Sequence, residues 1–163
     1  MRKGDTKGAL AAVEKALTKA KSEDLKTNLG LYRLQIQLND KDSQERLPEI
    51  ITEAYKTYAD KGQVINMIAW TVVQRMERGG DKNEELLEAT RAAIEKAASQ
   101  AEGDNRAAML DTAAHAQALD GDIDAAIKTQ TTAIQSASPQ LKAQLQEYLE
   151  TLEKEKAKAK AEK

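Results

Sequence analysis

Asn66 and Trp70 stand one helical turn apart, and so do Asp111 and His115. Residues spaced i, i+4 lie one above the other on a helix, so each pair presents two side chains to the same neighbour. Trp70 is the only tryptophan of the chain and His115 the only histidine. These types can do directed hydrogen bonding around an apolar anchor: an indole to be buried, and an amide, a carboxylate and an imidazole to orient a ligand. Read as catalysts, Asp111 and His115 would be orienter and base, but helical geometry alone produces many such pairs. The hydroxyls that could serve as nucleophile, Thr27, Thr71 and Thr112, lie in no strained or glycine-framed turn. Without cysteine there are no disulfides, thiol chemistry or cysteine metal sites within the chain. Any metal would then need carboxylates. Glu84-Glu85 and Asp120, Asp122 and Asp124 read instead as helix termini, and no full loop of oxygen donors follows Gly121. No catalytic residue, metal ligand or cofactor is assigned.

The elements that must position these residues are helices. Alanine, leucine, glutamate and lysine dominate a chain that is 40% hydrophobic and 32% charged with two prolines, a mixture that favours helix almost throughout. Four Tyr, one Trp and no Phe leave the core to Leu, Ile, Val and Ala, which suits close helix packing. The 163 residues make one domain's worth of chain, able to bury roughly two-thirds of its unfolded surface. A formal charge of −2 provides no electrostatic footprint for nucleic acid. Lys154, Lys156, Lys158, Lys160 and Lys163 interleave with Glu153, Glu155 and Glu162, so 154–163 reads as a polar, fraying helix end beyond a single domain spanning 1–153. No apolar stretch approaches the ~20 residues of a membrane span, and no signal peptide opens the chain.

Periodicity predicts eight helices, at about 5–21, 24–39, 46–60, 63–78, 83–100, 105–119, 122–136 and from 139 onward, and no strand. Pro48 marks the first turn of the third, because proline is tolerated at a helix start and costly inside. Short breaks between helices make antiparallel neighbours. One helix-opening phrase is written twice. Gly4-Asp5, Ala9-Leu10 and Ala16-Leu17 return as Gly121-Asp122, Ala126-Ile127 and Ala133-Ile134. The two alanines of each copy sit two turns apart on one face and admit a neighbouring helix closely. In helix five the packing pair is either Thr90 with Ala97 or Leu86 with Ala93.

Ala113-Ala114, Gly121-Asp122, Ala126, Ala133 and Pro139 resemble a tetratricopeptide repeat, with its small pair, turn, two alanines and closing proline. The likeness is best over 105–139, although Gln117 stands where an aromatic is usual. Residues 4–17 look like the second helix of a repeat lacking its first, and Leu29-Gly30 and Ile68-Ala69 look like further small pairs. Gly30, Ala69 and Ala114 lie farther apart than the ~34 residues of a standard repeat, so the middle repeats depart from the pattern. Asn66-Met67-Ile68-Ala69-Trp70, Ala92 to Ala97 and Leu110 to Ala114 are similar to a divergent group that follows a thioredoxin-like domain in larger bacterial proteins, often of planctomycete type. The resemblance implies an all-α, right-handed solenoid of antiparallel helical hairpins with a C-terminal capping helix. It also implies the C-terminal part of a longer, extracytoplasmic bacterial protein.

In such repeats the first helix of each pair lines a concave wall, with neighbouring first helices ~8–10 Å apart. Asn66 is then expected to face Asp111, and Trp70 to lie beside His115. Val73, Gln74 and Ala118 would join them, with Thr27 and Leu31 at the equivalent places on helix two. Either this wall is a groove for a protein or peptide segment, the upstream thioredoxin-like domain included, or Trp70 merely fills a curved interior while Asp111 bonds Asn66 or His115. A small-ligand or catalytic pocket at Asn66, Trp70, Asp111 and His115 is the alternative function, and a plain structural spacer the third. The Lys and Asn set with which some members of the family clamp a C-terminal carboxylate is not seen. Leu141, Leu145, Tyr148 and Leu152 on helix eight fit a terminal cap or a short coiled-coil seam; an open solenoid end needs covering, which favours the cap. Leu10, Val13 and Leu17 would be partly bare without an upstream partner, giving a monomer that self-associates weakly.

Overall fold

A computed structural model describes residues 6–79 and 82–161, and among these there are eight α-helices and no strand. They are α1 (Thr6–Leu17), α2 (Glu23–Asn39), α3 (Leu47–Thr57), α4 (Gly62–Glu77), α5 (Glu84–Ser99), α6 (Gly103–Leu119), α7 (Ile123–Ser136) and α8 (Pro139–Ala161). The Gly4-Asp5 turn, Gly80-Asp81 and residues 162–163 lie outside the described residues. The chain packs as two compact units, Met1–Ala54 and Tyr55–Lys163.

In the first unit α1 packs on α2, tied by the Arg33–Glu14 bond at 3.0 Å. Ser22 caps α2 by accepting the Leu25 N–H, with Glu23 and Asp24 complementing the helix dipole. The sequence marks 39–42 as a plain break, but Lys41–Arg46 forms a 3-10 helix. Asp40 organises it: its carboxylate accepts the Ser43 hydroxyl at 2.8 Å and its carbonyl accepts the Gln44 amide at 2.7 Å. That local satisfaction of polar groups holds a short tight turn where propensity alone predicts none. Val13 is buried and Leu10 and Leu17 are half-buried, so the apolar stripe of α1 is largely covered within this unit. Leu25 and Tyr32 on α2 are the exposed large hydrophobic residues here.

In the second unit each helix from α4 to α8 packs on the next, and α4 and α8 also both touch α6. Ala69, Ala113, Ala114, Ala126 and Ala133 have no exposed surface. The close approach foreseen from the repeated phrase is thus made in its second copy. In α5 the packing pair is Thr90 and Ala97, both buried, while Ala93 is half-exposed. Threonine replaces alanine there because its hydroxyl accepts the buried Tyr55 O–H at 3.0 Å while donating to the Leu86 carbonyl. Burial holds the Tyr55 phenol above its ordinary pKa. Tyr55→Phe is therefore expected to cost about 1 kcal/mol, read by chemical denaturation, since Thr90 keeps its second partner.

The Gly121-Asp122 pair explains itself. Gly121 adopts φ +88, a left-handed conformation in which a side chain would be strained. Its N–H bonds the Ala118 carbonyl, and that of Asp122 bonds the Gln117 carbonyl, the two bonds of a Schellman ending. The Asp122 carboxylate then accepts the Ala125 N–H at 3.0 Å and caps α7. One dipeptide stops α6 and starts α7. At the far end of this hairpin, Asp104 near the start of α6 accepts the Ser138 N–H at 2.6 Å, which holds its carboxyl below the ordinary range.

Helix α8 lays Leu145 against Ala107, Ala133 and Ala137, and Leu152 against Ala114 and Ala126. The leucine stripe is thus buried within the unit. The helix continues to Ala161 through the Glu/Lys stretch, where Lys156 bonds Asp124 and lowers its pKa.

Candidate functional site

Three helices of the second unit bring their rings into one row. Trp70 follows the fully buried Ala69 on α4, and His115 follows the fully buried Ala114 on α6. Each ring is thus the residue that follows a fully buried alanine of its helix. The Trp70 and His115 rings meet edge to face, 5.0 Å between centroids at 85°. Tyr148 of α8 then stacks on His115, with centroids 3.5 Å apart and planes within 3°. Trp70, His115 and Tyr148 each keep part of their surface exposed. Such ring pairs are worth roughly 0.5–1.5 kcal/mol beyond area burial.

The polar partners differ from those the spacing suggests. Asn66 meets Thr112, whose hydroxyl lies 2.8 Å from Asn66 Oδ1, and does not pair with Asp111. Adjacent residues on a helix point 100° apart, so Thr112 looks toward α4 while Asp111 looks toward α7. There Asp111 Oδ1 accepts Gln130 Nε2 at 2.7 Å. His115 likewise bonds Glu77, the last residue of α4, with Nδ1 2.6 Å from Oε1. A carboxylate accepts only, so Nδ1 carries a proton. Gln130 is fully buried; its amide nitrogen also donates to the Leu145 carbonyl at 2.9 Å, and its Oε1 has no partner.

The other residues expected on the wall are placed variously. Gln74 and Ala118 are half-buried, Ala118 packing beside Ala114, Ala126 and Leu152. Val73 has no exposed surface; it is a core residue, because it lies on the inward side of α4 next to Val72 and Met76. Thr27 and Leu31 are half-buried on α2 in the first unit. Glu77, Gln130 and Tyr148 are not expected at the site from sequence, and Thr112 is expected there only as a candidate nucleophile. Glu77 follows Trp70 and Gln74 along one face of α4, so periodicity could have found it. Gln130 is a polar residue on the stripe between Ala126 and Ala133, itself a sign of an internal partner.

The electrostatics are those of two carboxylates sharing one imidazole. Burial raises the Asp111 pKa most; the Gln130 bond and His115 lower it, and Glu77 raises it again. The Tyr148 phenol is also held above its ordinary range, by burial and by Glu77, Asp111 and Glu155. The sign for Asp111 is definite. With its folded-state pKa raised, the fold is best supported when this carboxyl is neutral, and that support is lost as pH rises through the folded pKa. Asp111→Asn keeps the acceptor for Gln130 and removes the charge. It is expected to raise the melting midpoint at neutral pH, with the gain fading toward about pH 3, below the ordinary aspartate pKa, in paired thermal melts.

Catalytic chemistry finds little here. Thr112 is committed to Asn66 and the Ala108 carbonyl, and Thr71 to the Met67 carbonyl. Among the described residues no group of three or more His, Cys, Asp or Glu could hold a metal ion. A separate open groove of about 450 Å³ runs along α5 and the α6–α7 turn, lined by Glu84, Glu88, Arg91, Ala92, Glu95 and Asp120. Arg91 and Asp120 form an ion pair there. No family model matches the chain, and neither does any curated protein or solved structure.

Proposed function

We propose that this chain is a non-enzymatic interaction module, a tetratricopeptide-like solenoid that receives a peptide segment of a partner protein. The observation that carries the proposal is the row Trp70, His115 and Tyr148, partly buried side chains delivered by three different helices. Partly buried aromatic rings with a few fixed polar groups are what protein docking sites use as anchors. Two further features support the solenoid. Alternate helices touch, α4 with α6 and α6 with α8, as is expected of neighbouring first helices in such repeats. The fully buried alanines let the helices approach at this level. The likeness to repeats that follow a thioredoxin-like domain makes such a domain the first partner to try.

The test is selection of a random twelve-residue peptide library on the immobilised chain, with the selected peptides labelled and titrated by fluorescence polarisation. Trp70→Ala is expected to weaken them by about tenfold or more while helicity and cooperative melting persist. Peptides that bind the variant equally well would show that the row is not the docking surface. Collapse of the fold in that variant would show that Trp70 is a structural filler. If selection yields no binder, the spacer reading replaces this one.

A further inference from the structure

Resting on the reading of this row as a docking surface, we infer that its occupant presents a positively charged side chain, a lysine ammonium or an arginine guanidinium, to the Trp70 and Tyr148 rings and the carboxylates of Glu77 and Asp111. Aromatic faces attract cations through their quadrupole, tryptophan most strongly. Two half-exposed rings therefore supply one half of such a site. The carboxylates supply the other. The His115 imidazole lies between the two, and its bond goes to Glu77. Asp111 receives its hydrogen bond from a neutral amide on α7, Gln130 Nε2, and its carboxylate still lies close enough to the row to raise the Tyr148 pKa.

Gln130 strengthens the inference. Its side chain has no exposed surface, its nitrogen is fixed by Asp111 and the Leu145 carbonyl, and its Oε1 is left unpartnered. Holding one buried acceptor unsatisfied to keep a carboxylate in place is unfavourable for folding alone. The same holds for Asp111, whose carboxyl is pushed up by burial. The cost at Asp111, which is partly exposed, is relieved where a positive charge arrives beside it. Glu155 of α8 also acts on Tyr148 and raises its pKa. A partner offering a carboxylate would meet repulsion from Glu77 and Asp111 beside this row.

The experiment uses the peptides selected on the full chain. They are expected to carry Lys or Arg at a recurrent position. Replacing that residue by citrulline or norleucine should weaken binding about tenfold, and so should raising NaCl from about 50 to 500 mM. Asp111→Asn and Glu77→Gln should each do the same while leaving the affinity of the citrulline or norleucine peptide unchanged. Should Asp111→Asn fail to fold, Glu77→Gln at the exposed end of α4 provides the same comparison. Trp70-dependent peptides that lack a basic residue, or that ignore both carboxylate substitutions, would overturn the cation inference and leave the docking surface standing. An absence of any Trp70-dependent peptide removes the docking surface and the cation inference together.

Discussion

Leu152→Ala should destabilise the Tyr55–Lys163 unit by about 2–5 kcal/mol, the range for leucine truncation in a well-packed core. Leu152 has no exposed surface and closes against Ala114 and Ala126, with Ile123, Ile127 and Tyr148 around it. Its neighbours across the interface are largely alanines, whose short side chains cannot swing in to refill the space, so the effect should fall in the upper part of that range. Urea unfolding followed by far-ultraviolet circular dichroism measures it. The site should report the same change. Leu152 lies one turn beyond Tyr148 on α8, so loosening this contact releases Tyr148 from His115 and alters the emission of Trp70 beside it. A loss below about 1 kcal/mol would mean that α8 lies on the unit without being part of its core.

Ala126→Leu should cost about 1–3 kcal/mol or more, because the added carbons enter a helix contact that has no room for them. Ala126 is fully buried beside Ala114 and Leu152. The corresponding residue in the first copy of the phrase, Ala9 on α1, is only half-buried. Ala9→Leu should therefore change stability by no more than about 0.5 kcal/mol. Thermal melts of the two variants compare one motif in two settings. Equal losses would show that the motif makes the same close contact in both copies.

That comparison bears on how much of this molecule is legible in its sequence. The helices are, because the apolar period, the Gly-Asp turn and Pro48 and Pro139 each mark boundaries by local chemistry. The 3-10 helix at 41–46 is not, since it rests on hydrogen bonds that Asp40 accepts and that break no periodic pattern. At the site, the meeting of Trp70 and His115 follows from counting along two helices from Ala69 and Ala114. Their polar partners do not follow from counting. A step of one residue rotates a side chain 100°, which is enough to give Asn66 to Thr112 and Asp111 to Gln130. Tyr148 is expected from sequence only as part of the packed stripe of helix eight, and it also stacks on the row.

The bond from the Ser138 N–H to Asp104 joins the entrance of the α6–α7 hairpin to its exit. A segment whose two ends meet behaves as a cassette. Copying it in tandem, or cutting it out, leaves the incoming and outgoing chain at nearly the same point in space. Duplicating or losing this hairpin would therefore change the length of the chain while disturbing its flanking helices little.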